Sequence, residues 1–241
     1  MSFFAAILAV AASAAAVAAP QSGDSDLSTK EIRAVVHAYA KCVIERRPAL
    51  AAEAIQRNVS NAILYKSYPK LIDGGCLKSS PHEQLTARFG GDLYRYALAD
   101  ALVNRDLARF SGNDFSALPK LDHRVPGEAP TRITAKGKKL SAKRYDEAVA
   151  SYDEERSFAY LSMYGECVVR IAPLQAQALL LTRPDSPEES VRFRSLSPAL
   201  SSCLPEGATL KFGKVTLRGT IAINYYRLAM AARAAATGTA G

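Results

Sequence analysis

The sequence lacks the short motifs that mark common catalytic and cofactor sites. It has no Gly-x-Ser-x-Gly elbow, no Gly-x-Gly-x-x-Gly turn and no phosphate-binding loop, which argues against an α/β-hydrolase, a dinucleotide site and a P-loop site. It also has no Cys-x-x-Cys and no His-x-x-x-His pair, and its three histidines are scattered at His37, His82 and His123. We therefore predict no metal site and no cofactor.

Charged side chains are absent from the first nineteen residues, which run from Phe3-Phe4 through an apolar, Ala-rich stretch. Ala16-Val17-Ala18 supplies the small-x-small pattern of a signal peptidase site, so residues 1–18 are predicted to be a secretory signal cleaved before Ala19. An uncleaved membrane anchor is the alternative. No later segment is apolar enough to span a bilayer, and we expect a periplasmic or secreted protein.

An internal repeat is present, and it fixes the unit of structure. Each copy has a Tyr-x-x-Cys-apolar-apolar-x-x-x-Pro segment, then a Cys-Leu pair, then a Phe-Gly-x-x-x-apolar-Arg-x-x-apolar-Ala segment. The first copy has these at 39–48, 76–77 and 89–99, and the second at 164–173, 203–204 and 212–222. The repeated unit is a module of roughly 70 residues.

Each module contains two of the four cysteines. Four cysteines allow three pairings, but both copies must satisfy the same local geometry, which selects Cys42–Cys76 and Cys167–Cys203. In an exported chain these pairs are expected to be disulfides. Closing a loop of this length stabilises each module by about 4 kcal/mol in the chain-entropy model.

Helical periodicity and capping residues predict an all-α fold with about four helices in each module. Ser28 and Glu31 form a capping box before a helix that buries Ile32, Val36, Tyr39 and Val43. The predicted units are a signal at 1–18, module 1 at 27–110, a basic Pro/Gly linker at 111–140, module 2 at 141–232 and a flexible tail at 233–241.

Several finer features follow from single residues of the repeat. The third helix of module 1 should end at Gly74-Gly75, and Pro69 and Pro198 should bend or break the third helix of each copy. Ser186 and Glu189 form a second capping box. Residues 86–89 and 209–212 could each form a very short strand, and the two strands could pair with each other.

The positive charge is concentrated in the linker. The chain carries a net charge of +8, and residues 118–144 hold eight basic residues against two acidic ones. Lys136, Lys138 and Lys139 are therefore candidates for binding anionic lipid or polysaccharide by long-range attraction. The alternative is a solvated linker, and nucleic acid is not expected as a partner.

Arg95 and Arg218 occupy the same position in the two copies and are the other candidate ligand-binding residues. A guanidinium group suits a carboxylate or a phosphate. The structural alternative, which recurrence in both copies favours, is an arginine that satisfies helix carbonyls or an acidic neighbour while its stem covers apolar surface. No catalytic residue can be assigned: Glu188-Glu189 fit a helix N-terminus, and His37, with Ser162 at its place in copy two, fits a core or surface histidine.

The segments Cys167-Val168-Val169-Arg170, Ser186-Pro187-Glu188-Glu189 and Cys203-Leu204-Pro205, with Thr209 to Phe212 and Leu217-Arg218-Gly219, resemble uncharacterised exported proteins of Gram-negative bacteria. Module 1 follows this pattern less closely, with Tyr96 where module 2 has Gly219. The resemblance implies an exported, all-helical protein and carries no activity.

The leading hypothesis from the sequence is a non-enzymatic exported protein that serves as a structural or protein-interaction module. One alternative is a binding protein for anionic envelope ligands that uses the basic 118–144 segment. The other is an enzyme of unrecognised type, for which a deep polar pocket shared by both modules would be the sign.

Overall fold

The structure, a computed structural model, describes residues 28–78, 92–112, 114–134, 137–206 and 213–238. This part of the chain is helical apart from turns, coil and one isolated β-bridge, so the all-α prediction is confirmed. Its helices are α1 Thr29–Arg46, α2 Pro48–Gln56, α3 Asn61–Ser67, α4 Gly74–Lys78, α5 Leu93–Asp106, α6 Ala142–Ile171, α7 Pro173–Leu180, α8 Pro187–Ser202 and α9 Lys214–Gly238. The proposed signal, the strand pair at 86–89 and 209–212, and Lys136 lie outside the described residues.

The helix starts follow the capping residues of the sequence. Ser28 Oγ accepts a hydrogen bond from the Glu31 amide at 3.3 Å, and the Glu31 carboxylate accepts one from the Ser28 amide at 2.7 Å. Ser60, Ser141 and Ser186 also cap α3, α6 and α8 through their side-chain oxygens. The capping box predicted at Ser186 is incomplete, because the Glu189 carboxylate accepts from the Asp185 amide instead, at 3.0 Å. Each serine satisfies an amide that the first helical turn leaves without a partner.

Four local features differ from the sequence-based expectations. Ile32 is 38 % exposed rather than buried. Gly74 begins α4 instead of ending a helix, because the chain already leaves α3 at Ser67 and makes a single 3-10 turn at Pro69–Leu71. Pro198 lies inside a continuous α8. Helix α9 continues to Gly238, so residues 233–238 of the expected tail are helical.

The two modules pack in the same way and share one core. Helix α1 packs on α5 as α6 packs on α9, and α2 packs on α5 as α7 packs on α9. The most extensive contact of all joins α5 to α9, one helix from each module. The buried apolar side chains of both modules form a single cluster. Each module therefore completes its hydrophobic core with a helix of the other.

Position 96 of module 1 and position 219 of module 2, which are equivalent in the repeat, lie against each other in this contact. A Cβ atom added to Gly219 would lie 2.0 Å from Tyr96 Cγ. Tyr96 thus occupies the space that Gly219 leaves free. Helices α5 and α9 can approach closely because only one of the two equivalent residues carries a side chain.

Both predicted disulfides are present. Cys42 is bonded to Cys76 and Cys167 to Cys203, with sequence separations of 34 and 36. The first bond ties α1 to α4, and the second ties α6 to the C-terminal end of α8. Disulfides of this kind are typical of proteins that fold in an oxidising compartment. None of the helices that the structure describes is long and apolar enough to cross a lipid bilayer.

The described part of the linker has no helix, yet much of it is held in place. Arg170 of α6 donates to the carbonyl oxygens of Phe115, Leu118 and Pro119. Further along, Ile133 and Lys139 form an isolated antiparallel bridge around a turn in which Gly137 has a φ of +73°. The first half of the predicted linker is therefore a non-helical segment docked on module 2.

Candidate functional site

A buried network of charged side chains joins the two modules next to the N-terminal half of α1. Arg33 of α1 contacts Asp185 Oδ1 and Glu189 Oε1, both at 2.6 Å. Glu189 also contacts Arg218 Nη1 at 3.1 Å, and Arg218 Nη2 contacts Asp100 Oδ1 at 2.9 Å. The charges alternate in sign along this chain of contacts. Buried ions need such pairing, because their desolvation is otherwise not compensated.

Arg218 also binds the C-terminal end of α7. Its guanidinium donates to the carbonyl oxygens of Leu179, Leu180 and Thr182 at 3.1, 2.9 and 2.8 Å. Leu179 and Leu180 are the last two residues of α7, where the negative end of the helix dipole lies, and Thr182 follows in the turn after it. Arg218 is only 3 % exposed. All of its contacts are with protein groups, as the structural interpretation of the repeated arginine expects.

The pKa values of the network reflect its pairing. Burial would raise the pKa of Glu189, but hydrogen bonding and attraction to Arg33, with attraction to Arg218, hold it below its ordinary value. Burial would likewise lower the pKa of Arg33, and Glu189 and Asp185 raise it instead. Both groups stay charged at neutral pH. Arg33 and Glu189 thus form a fixed pair of opposite charges.

His37 connects this network to the surface. Its Nε2 forms a short hydrogen bond with Asp100 Oδ2, and Asp100 is in turn held by Arg218. The His37 side chain is 27 % exposed, whereas that of Asp100 is 4 % exposed. A carboxylate that binds one ring nitrogen fixes the orientation of the imidazole. The ring therefore faces the surface in one orientation.

His37 lies at the middle of a groove that we call the α1 groove. Its floor is the α1 face that carries Lys30, Ala34, His37, Lys41 and Glu45, and its opposite wall is the turn from Leu181 to Pro187. Two adjoining cavities of about 430 and 610 Å³ form the groove and share His37, Arg183 and Pro184 as lining residues. These volumes are in the range of ligand-binding clefts.

The α1 groove has a cationic surface. Lys30, Lys41 and Arg183 are exposed, and within the part of the chain that the structure describes their side chains form no hydrogen bond or ion pair. The acids of the groove are Asp185, which is bound to Arg33, and Glu45. Exposed cations around a concave surface attract anionic groups. The groove can therefore bind a ligand that carries carboxylate or phosphate groups.

A second polar cluster holds the linker on module 2, and we call it the linker clamp: Ser162, Glu166 and Arg170 of α6, with Arg227 of α9. Glu166 Oε1 accepts a hydrogen bond from the Leu121 amide at 3.0 Å. Arg227 donates to the carbonyl oxygen of Asp122 at 2.7 Å. The clamp satisfies backbone groups of a segment that has no secondary structure.

His123 of the linker lies between Ser162 and Glu166, an order reminiscent of a catalytic triad. His123 Nδ1 is 2.8 Å from Ser162 Oγ, and its Nε2 forms a short contact with Glu166 Oε2. Ser162 is buried and also accepts a hydrogen bond from Asn58 at 3.0 Å. The cavity that Ser162 lines is about 10 Å³, which is room for at most one water molecule. A substrate carbonyl has no space beside Ser162 Oγ there, so the cluster serves to fix the linker.

The other predicted site residues lie apart from the α1 groove. Arg95 is 4 % exposed; it contacts Asp92 at 3.2 Å and stacks over the ring of Phe158 at 4.5 Å. Lys138 and Lys139 are exposed at the linker turn. Among the predicted residues that the structure describes, only Arg218 borders the site, where it binds Asp100 beneath His37.

Sequence reasoning missed most of the groove. Arg33 pairs with Glu189, 156 residues away, and His37 pairs with Asp100, 63 residues away. Glu189 was expected at a solvated helix N-terminus and is instead 1 % exposed. Local helical periodicity cannot predict pairs between residues so far apart in the sequence. One sequence feature could have pointed to the groove. On the equivalent face of the first helix of each module, module 1 has His37, Lys41 and Glu45 where module 2 has Ser162, Glu166 and Arg170.

No protein family model, curated protein or solved structure matches this chain. The resemblance to exported proteins of Gram-negative bacteria therefore stays a prediction. Function has to be inferred from the geometry of the site.

Proposed function

We propose that this protein is an exported helical interaction module, which acts by binding a partner in the α1 groove rather than by catalysing a reaction. The observation that carries the proposal is the contrast between two sets of charges. The buried ions of Arg33, Glu189 and Arg218 are paired with one another. The cations that line the groove, Lys30, Lys41 and Arg183, are left without such pairing in the described residues.

The buried network supports this role by making the groove rigid. It ties α1 to the wall of the groove through the contacts of Arg33 with Asp185 and Glu189. Arg218 fixes the end of α7, from which the same wall continues. A surface that is already in its binding geometry loses less conformational entropy on association.

The cellular location belongs to the same proposal. Two disulfides fit an oxidising compartment. The uncharged, Ala-rich start of the chain, with Ala16-Val17-Ala18 before Ala19, supports export through a cleaved signal. We therefore place the mature protein in the periplasm or outside the cell.

The proposal is tested by comparing two double variants with the same change of charge. Lys41→Glu with Arg183→Glu reverses two cations of the groove, and Lys138→Glu with Lys139→Glu reverses two cations of the linker turn. The oxidised mature proteins are immobilised, exposed to an envelope extract of the organism that makes the protein, and washed at 50 mM and then at about 500 mM salt. We expect the wild type and the linker variant to retain the same component and the groove variant to lose it. Equal retention by the groove variant would overturn the proposal.

A second candidate function rests on the linker turn. Lys138 and Lys139 are exposed there, and Ile133 beside them is 59 % exposed. Cations next to an exposed apolar side chain suit the surface of an anionic membrane. Co-sedimentation with vesicles that contain phosphatidylglycerol tests this function. It is supported if Lys138→Glu with Lys139→Glu abolishes binding while the groove variant still binds, and it is rejected if the two variants bind alike.

A further inference from the structure

The face of α1 that forms the groove has an equivalent in module 2. The repeat aligns Tyr39 with Tyr164 and Cys42 with Cys167. The same alignment places Ala34, His37, Lys41 and Glu45 of α1 at the positions of Ala159, Ser162, Glu166 and Arg170 of α6. Because α1 packs on α5 as α6 packs on α9, these faces have the same position relative to the core.

In module 2 this face is covered by the chain's own linker. Residues 115–119 bind Arg170, Leu121 binds Glu166, and His123 binds Ser162. Val125 and Pro126 then line a cavity together with Ala159. The linker therefore runs along α6 from its C-terminal part toward its N-terminus, antiparallel to the helix.

In module 1 no described segment covers the equivalent face. Ala34 and Lys41 are exposed, whereas their counterparts Ala159 and Glu166 are 2 % and 5 % exposed. The two cavities of the α1 groove lie where the linker lies in module 2. The fold thus shows one copy of the face with an extended polypeptide bound and the other copy open.

The charges of the two faces are exchanged. Glu166, which accepts a backbone amide, is replaced by Lys41, and Arg170, which donates to carbonyl oxygens, is replaced by Glu45. Arg183 and Lys30 add positive charge along the groove. A segment that fits module 1 therefore differs from the linker in sign, with acidic side chains opposite Lys41, His37 and Lys30.

We propose that the α1 groove binds an extended, acidic polypeptide segment of a partner protein, which runs antiparallel to α1 as the linker runs along α6. This inference rests on the proposed function and names the partner class of the same groove. From Lys30 to Glu45 the helix rises about 22 Å. About seven residues of extended chain cover that distance.

The probe is a synthetic peptide with the sequence of residues 114–126 in which Lys120→Glu, His123→Glu and Arg124→Glu make the segment acidic. The control peptide has the unaltered sequence. Fluorescence anisotropy with the dye-labelled peptides measures Kd for the oxidised full chain at about 50 mM salt. We expect the acidic peptide to bind about three- to a hundredfold more tightly than the control, since its two or three added ion pairs are each worth a few tenths of a kcal/mol to one.

The two double variants identify the binding surface. Lys41→Glu with Arg183→Glu should weaken binding of the acidic peptide at least about tenfold, whereas Lys138→Glu with Lys139→Glu should leave it within about twofold. Circular dichroism checks that both variants are folded. Undetectable binding of the acidic peptide, or equal binding to both variants, would overturn the inference. The wild type could instead retain a non-protein ligand from the envelope extract that the groove variant does not retain. The proposed function would then be supported, and the inference of a polypeptide partner would be wrong.

The direction of the peptide is tested by photo-crosslinking. A benzophenone side chain at the position of Phe115 should label the Glu45 end of the groove, at Asn104 or Arg105. The same group at the position of Val125 should label the Lys30 end, at Pro187. Tryptic digestion and mass spectrometry locate the labelled residues. Labelling of both ends from either position would contradict a segment bound in one direction.

Discussion

Arg218 and Arg95 occupy the same repeated position, but the charges around them differ. Arg218 lies between the carboxylates of Asp100 and Glu189, whose side chains are 4 % and 1 % exposed. Arg95 faces Asp92, whose side chain is 27 % exposed, and the ring of Phe158. A carboxylate that keeps contact with water tolerates the loss of its partner, and a buried one does not.

We therefore expect Arg218→Ala to lower the free energy of unfolding by about 3–5 kcal/mol, because two buried carboxylates, Asp100 and Glu189, each lose a cationic partner. Arg95→Ala should cost at least about 2 kcal/mol less, since Asp92 remains partly hydrated. Guanidinium unfolding followed by circular dichroism measures both values. Equal losses for the two variants would contradict the assignment of Arg218 to the buried network.

Gly219 is the residue on which the approach of α5 and α9 depends. Alanine in place of glycine usually favours a helix by about 1 kcal/mol. Here we expect Gly219→Ala to destabilise the protein by about 1–3 kcal/mol, because its Cβ would lie 2.0 Å from Tyr96 Cγ. Gly74→Ala in α4, with no atom within 4 Å of the added Cβ, is the control in a helix.

A double-mutant cycle with Tyr96→Ala tests the origin of that effect. If the clash with Tyr96 is the cause, Gly219→Ala should cost much less in the Tyr96→Ala background, with a coupling energy of about 1 kcal/mol or more. Thermal unfolding of the four proteins gives the coupling. Additive effects would show that Gly219 is required for another reason.

At the scale of elements, the linker is held by the carboxylate of Glu166. Burial would raise the pKa of this group, but hydrogen bonds from His123, Leu121 and Arg170 lower it from 4.5 to about 2. Because the pKa of the folded state lies below that of the unfolded state, the ionised carboxylate stabilises the fold above about pH 4.5. This contribution is lost as the pH falls toward 2.

The stability of the wild type should therefore decrease between about pH 4.5 and 2, and Glu166→Gln should flatten that part of the pH profile. The variant should also speed hydrogen exchange at the Leu121 amide, since its acceptor becomes a weaker amide oxygen. Glu154→Gln, on the exposed face of the same helix, is the control. The same acid slope in the wild type and Glu166→Gln would contradict this role.

Much of the helical framework could be predicted from the sequence, because caps and turns are local. Ser28 and Ser141 begin helices where the sequence predicted them. Pro69 follows the end of α3, as the restricted backbone before proline requires. Pro198 lies on the exposed side of α8 and does not break the helix. Arg194, whose carbonyl oxygen loses its amide partner because of Pro198, lies on the same exposed side. Water replaces the missing hydrogen bond there.

The site could not be predicted, because its contacts are long-range. His37 becomes distinct only through Asp100, and the cations of the groove come from α1 and from the turn after α7. The linker shows the same limit. Its Pro/Gly composition predicted a linker, but not where it binds. The side chains that hold it, Arg170 and Arg227, belong to two different helices.

At the scale of the whole molecule, we expect the two modules to unfold as one cooperative unit, because they share a core. Each disulfide closes a loop of about 35 residues and stabilises the fold by about 4 kcal/mol in the chain-entropy model. We expect Cys42→Ser with Cys76→Ser to shift a single unfolding transition of the entire protein to lower denaturant. Cys167→Ser with Cys203→Ser should do the same.

Circular dichroism reports the helices and tyrosine fluorescence reports the core, so coincident curves from both probes in each disulfide variant would show cooperative unfolding. The intact protein at the same concentration is the control. Two separated transitions, with one module unfolding while the other keeps its helices, would contradict a shared core.

The pairing of Tyr96 with Gly219 has a consequence for the ancestry of such a chain. Two identical half-chains that met at this contact would bring like residues together, either two rings into one space or two glycines around a void. A large residue on one side and a small residue on the other is possible only for halves whose sequences differ. Once the two positions differ in side-chain volume, neither half can form this contact with a copy of itself without a compensating substitution at that position.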